Sequence, residues 1–123
     1  MIGLVSCDNV NDIYYVIENN TQDSIRLNYS YTTNCINSST PDTSIILSPN
    51  QKDTIFVFTL ISPSVYDPED GTHMTNVLFD NIIRLSDNAS LQKDISLRKN
   101  WNYVETGKYS AILECVLDDN NWE

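Results

Sequence analysis

Ser24-Ile25-Arg26-Leu27-Asn28-Tyr29-Ser30-Tyr31-Thr32 alternates without a break. Ile25, Leu27, Tyr29 and Tyr31 share one face, and Arg26, Asn28 and Ser30 share the other. A two-residue period is the mark of a half-buried strand in an antiparallel sheet. Upstream, residues 12–19 carry Ile13, Tyr14, Tyr15, Val16 and Ile17, β-branched and aromatic, with no helical period. They read as a second strand. Asn20-Thr21-Gln22-Asp23 between the two has turn chemistry, so residues 12–32 are expected to form a hairpin.

Downstream, residues 33–43 are polar with Pro41 and read as a loop. A short strand is expected over 44–47, then a turn at Ser48-Pro49-Asn50-Gln51, where proline pre-sets φ. Residues 52–61 form a continuous β-rich run, Ile55 to Leu60, expected as a central strand buried on both faces. Residues 62–75 hold Pro63, Pro68 and Gly71 and read as the longest loop. Residues 76–85 read as a strand with a bulge at Asp80-Asn81. Asp87 is placed to cap a short helix through residue 94. Residues 101–104 and 108–117 complete the strands, the latter alternating Tyr109, Ala111, Leu113, Cys115 and Leu117 against Ser110, Ile112, Glu114 and Val116. An acidic tail follows. About seven strands with almost no helix predict an all-β fold: an antiparallel β-sandwich, immunoglobulin-like in size.

Composition agrees with one domain. The chain has 123 residues, of which 41% are apolar. That length buries roughly 65–70% of its unfolded surface, enough for a core without metal or dense disulfides. The net charge is 7 − 17 = −10. Phosphate binding needs a concentrated Lys/Arg surface, so the charge speaks against a nucleic-acid partner and none is expected. Five of the seven basic residues (Arg84, Lys93, Arg98, Lys99 and Lys108) fall within 84–108. The acidic remainder suits a positively charged partner. No run approaches the ~20 apolar residues of a membrane span.

Leu4-Val5-Ser6-Cys7 has the form of a lipoprotein processing box: aliphatic pair, small residue, cysteine. The reading makes Cys7 the lipidation site, with acyl chains supplying membrane affinity at roughly 0.8 kcal/mol per buried CH₂. A complete secretory signal has a basic n-region and a 7–15-residue apolar core. The six residues before Cys7 supply neither, so either the true start lies upstream or they are the tail of a signal; an accidental cysteine near a frayed terminus is the alternative. Residues 1–11 are then expected to be signal remnant, lipobox and polar tether, and residues 12–123 the single sandwich domain.

Cys35 and Cys115 are left as a candidate disulfide in an oxidising compartment. Counting in twos from Ile25 through Tyr31 reaches Cys35, and Cys115 shares a face with Ala111 and Leu113. A bridge would close a loop of about 80 residues, worth roughly 4–5 kcal/mol in the chain-entropy model. Two buried free thiols are the alternative.

Little else points to chemistry. His73 is the single histidine, and no Gly-x-Ser-x-Gly elbow is present. Zinc needs three or four His, Cys or carboxylate ligands. Asp67-Pro68-Glu69-Asp70-Gly71 concentrates acids beside glycine but lacks the spacing of an EF-hand, and reads as a solvated turn. No catalytic residue, cofactor or metal is expected. Trp101, Tyr103, Tyr66 and Trp122 are the aromatics that could stack on a sugar or anchor a partner. Trp101 reads as core and Trp122 as an exposed end.

The lipobox, the stretch Tyr15 to Leu27, the Leu47-Ser48-Pro49-Asn50-Gln51 turn, Phe79-Asp80-Asn81-Ile82-Ile83, Asn100-Trp101 and the late Tyr109 strand together resemble small cell-envelope lipoproteins of gut Bacteroidales. The resemblance spans most of the chain. It implies a cell-envelope, surface-exposed protein of unassigned activity; taken with the lipobox and the lack of catalytic motifs, the expectation is a non-enzymatic protein lipid-anchored in the outer membrane, facing the periplasm or the cell surface. It also implies that Asp23-Ser24-Ile25 and Asp53-Thr54-Ile55 are candidate O-glycosylation triplets, at Ser24 and Thr54. An Asp followed by a hydroxyl residue at the start of a strand is the simpler account of both. The expected role is binding or scaffolding of a protein or glycan partner. An accessory glycan-binding module and a cytosolic acidic interaction or inhibitor protein are the alternatives.

Overall fold

The computed structural model describes residues 9–31 and 42–122. Among them are seven strands in two sheets: β1 (Asn9–Asn20), β2 (Ile25–Tyr31), β3 (Thr43–Leu47), β4 (Lys52–Ser62), β5 (Val77–Arg84), β6 (Asn102–Gly107) and β7 (Ser110–Asp118). One sheet runs β4-β1-β7-β6 and the other β3-β2-β5. This is an all-β sandwich with the four-plus-three division of immunoglobulin-like domains. In the constant-type arrangement the first and last strands belong to different sheets. Here they are neighbours, and β1 and β7 form the one parallel pair among the described strands.

The expected strand forms over its described part, β2 at Ile25–Tyr31, but the hairpin does not. β1 pairs with β4 and β7, while β2 pairs with β3 and β5. The four residues between β1 and β2 therefore carry the chain from one sheet to the other. The reason lies in Asn19, which is buried. Its side-chain Nδ2 donates to the carbonyls of Asp23, Leu47 and Ser48, and its Oδ1 accepts from the Thr21 N–H and hydroxyl. One side chain thus ties the β1–β2 link to the β3–β4 turn. That turn has Pro49 followed by Asn50 at φ 65°, the pattern of a type II turn, closed by the Gln51 N–H on the Ser48 carbonyl.

β1 is an inner strand of its sheet, and its middle is apolar on both faces. Ile13, Tyr15 and Ile17 point into the core, and Tyr14 and Val16 point out. β4, expected as the central strand, is an edge strand that pairs only with β1. The register shift opposite Tyr15/Val16 leaves Ile55 as an extra residue, which puts Ile55 and Phe56 side by side in the core. That bulge accounts for the continuous apolar run. The bulge expected in β5 falls at Asp80, between the pairs Asn28↔Asn81 and Tyr29↔Phe79.

Three other local expectations are corrected. Residues 87–94 form no helix; Asp87 accepts from the Ala89 N–H and pairs with Arg84, making an Asx turn. β1 begins at Asn9, so residues 9–11 of the expected tether lie in the sheet, with Asn11 buried and its Nδ2 on the Ser62 carbonyl. Trp122 is partly buried beneath Arg84, whose guanidinium carbon is 5.8 Å from its ring centroid.

The core joins the sheets through aromatics. Tyr15 stacks on Phe56 at 4.1 Å, Phe56 on Tyr31 at 4.8 Å, and Tyr29 lies 5.8 Å from Tyr31. Trp101 precedes β6 rather than sitting in it, and is core as expected: its ring is 6.0 Å from Tyr15 and 6.1 Å from Phe79. The Tyr29 hydroxyl donates to the Ile55 carbonyl at 2.6 Å.

Burial leaves a titration signature. It pushes Tyr29 and Cys115 up to about 12, and Tyr103, helped by Glu105, to about 12; burial and Glu69 raise Tyr15 further. Ordinary values are 10.0 for tyrosine and 9.0 for cysteine. A raised folded-state pKa contributes stability that is complete below the unfolded value and lost as pH rises through the folded one. The urea midpoint is therefore expected to be insensitive to these groups up to about pH 9 and to fall between about pH 9 and 12. Tyrosinate absorbance followed beside unfolding checks this. Tyr15 and Tyr29 ionising near 10 in the still-folded chain would contradict it.

Candidate binding face

The outward side of the four-stranded sheet carries a row of apolar side chains. The register aligns Val57 of β4, Tyr14 of β1, Ile112 of β7 and Val104 of β6 in one row across all four strands. Tyr14 is 37% exposed and Val104 45%, with Val57 and Ile112 half-buried between neighbours. Outward positions on a solvated sheet are ordinarily polar. Here strand alternation places four apolar residues on that side.

Beside this row lies a shallow hollow of about 410 Å³, with apolar walls from Val16, Val104 and Ile112. Its polar lining comprises Lys52, Asp53, Thr54 and Glu114. Lys52 Nζ and Glu114 Oε2 pair at 2.7 Å, and that hydrogen bond holds the Lys52 ammonium above its usual pKa. Thr54 is exposed on the edge strand, opposite Val16. Ser24 is half-buried just before β2, and its carbonyl accepts from the Leu85 N–H.

The other sites suggested by sequence are dispersed. Cys7 and Cys35 lie outside the described residues, and the candidate Cys35–Cys115 bridge with them. Cys115 faces the core of β7, as its alternation requires. His73 is exposed in the β4–β5 loop, bridged through backbone to Leu97. No cluster of three potential metal ligands occurs among the described residues. The exposed tyrosines do not converge: Tyr14 is on the sheet, Tyr66 in the β4–β5 loop and Tyr109 in the β6–β7 turn.

Asp67–Gly71 is not a solvated turn. Glu69 is 1% exposed. Its Oε1 accepts from the Thr75 N–H at 2.7 Å and hydroxyl at 3.0 Å; its Oε2 accepts from the Tyr15 hydroxyl at 2.6 Å and the Asn76 N–H at 3.1 Å. Asp67 accepts from the Glu69 N–H and is forked by Arg98. These two acids fasten the loop to the core, which is a structural task. Sequence reasoning missed the outward apolar row because it needs strand neighbours. The available signal was Tyr14 and Val16 on the polar-expected face of β1.

The chain is thus a small β-sandwich that presents an apolar strip with a charged border. Comparison with protein-family models, with curated proteins and with solved structures finds no match.

Proposed function

We propose that this chain is a non-enzymatic, lipid-anchored protein of the cell envelope, held at Cys7 in the outer membrane, whose β-sandwich binds or scaffolds another protein. The observation that carries the binding role is the Val57-Tyr14-Ile112-Val104 row on the outward sheet face. Apolar side chains aligned in this way favour contact with a partner that removes them from water. Asp12, Glu18 and Glu114 border the strip, with Lys52 as the nearby cation. The partner suited to it carries apolar groups flanked by basic ones. A glycan platform needs several aromatics on one face, and Tyr14 is the one exposed aromatic of this sheet face among the described residues. The anchor rests on Leu4-Val5-Ser6-Cys7.

Two experiments in the native host test the two halves. An alkyne fatty acid should label the chain and fail to label Cys7→Ala; an unlabelled wild-type chain removes the anchor. A photo-crosslinking residue at Tyr14 should give a discrete protein adduct that Val104→Asp abolishes. A crosslinker at exposed Leu78, on the other sheet, serves as control. The same adducts from both positions, or none from Tyr14, would refute the binding face.

A further inference from the structure

The end of the sandwich at which β1 begins has an unusual surface. Val10 and Ile61 face each other in register across β1 and β4, and are 63% and 69% exposed. The Asp12 N–H donates to the Tyr109 carbonyl at 3.0 Å, so the β6–β7 turn lies at the same end. That turn presents exposed Tyr109 with Lys108 Nζ 5.3 Å from its ring centroid. Two aliphatics, a tyrosine and a lysine form the set that suits a lipid–water interface. The aliphatics leave water, the tyrosine keeps its hydroxyl wet, and the lysine ammonium reaches back to solvent.

We infer that this tip rests in the lipid interface and fixes how the domain stands on the membrane. The inference depends on the proposed acylation of Cys7. Only Asp8 separates Cys7 from the first residue of β1. Three residues reach at most about 10–11 Å, so an acylated Cys7 holds Val10 within that distance of the anchored cysteine. Apolar groups of interfacial elements enter about 5–10 Å into the headgroup boundary, a depth within reach. Asp12 beside the tip, and the acidic chain as a whole, select zwitterionic over anionic headgroups. Val10 and Ile61 lie on the same outward face as Tyr14, four residues along β1, so the membrane end and the Val57-Tyr14-Ile112-Val104 row sit at different heights of one face. The Asn19 end is the distal one.

The test uses the full chain purified from its host and placed on phosphatidylethanolamine–phosphatidylcholine vesicles. A spin label is introduced by Ile61→Cys, or by Gln22→Cys at the opposite end, each in a Cys35→Ser background. Intact mass first establishes acylation at Cys7. The expected result is that the label at 61 collides several-fold more with oxygen than with an aqueous nickel chelate, relative to the label at 22, and that Val10→Asp removes the difference. An acylated chain whose two labels are equally open to the chelate overturns the tip while leaving the anchor standing. A chain unmodified at Cys7 overturns both, because nothing then brings this end to lipid.

Discussion

Glu69→Ala is expected to destabilise the fold by about 3–5 kcal/mol, a melting-temperature loss of roughly 10–20 °C for a chain of this size. The substitution removes the shared acceptor of four donors: the N–H groups of Thr75 and Asn76 and the hydroxyls of Tyr15 and Thr75. A buried donor left unpaired costs about 1–3 kcal/mol, and relaxation toward water at Thr75 recovers part of the sum. Tyr15 is fully buried, so its hydroxyl keeps only the weaker contact with the Asn76 amide. Glu69→Gln keeps the shape and an acceptor oxygen, and should cost about 1–2 kcal/mol because one acceptor becomes a donor. Urea denaturation of both variants measures the difference. A Glu69→Ala loss below about 1 kcal/mol would mean that the β4–β5 loop is held by something other than this carboxylate.

The second large effect is expected at Trp101. Trp101→Ala should cost about 3–5 kcal/mol, the usual range for removing a large buried aromatic. Trp101 is 4% exposed, and its ring lies between Tyr15 of one sheet and Phe79 of the other. Its Nε1–H donates to the Ile95 carbonyl at 2.7 Å. The truncation therefore opens a cavity between the sheets and frees the 91–97 segment from its hold on the core. Trp122 would remain as the single tryptophan, so fluorescence should shift toward that of its partly exposed site. Because Trp101 and Glu69 both bear on Tyr15, the double variant Glu69→Ala/Trp101→Ala should lose less than the sum of the two. Strict additivity would show that Tyr15 does not couple the loop to the sheet interface.

Most strands were legible because each rests on a local signal. The alternation in 24–32 and 108–117 is a property of the strand itself, and the structure places β2 and β7 there with the expected faces inward. Turn chemistry at Pro49-Asn50 likewise acts over four residues. The hairpin was misread because turn residues favour a reversal without specifying which sheet the chain enters next. Asn19 makes that choice through carbonyls 28 and 29 residues away, which no local pattern reveals. Glu69 was misread for the same reason: its partner Tyr15 is 54 residues distant.

The all-β class and the approximate strand ends were readable from the residues alone. Each depends on period, composition or a short motif. That β1 lies inside its sheet, that β4 is an edge, that Glu69 is a buried clamp, and that Val57, Tyr14, Ile112 and Val104 share a row follows from the three-dimensional packing. Strand pairing brings together residues that alternation merely assigns to one face or the other, and register is settled by the packing of the whole sandwich rather than by any one strand.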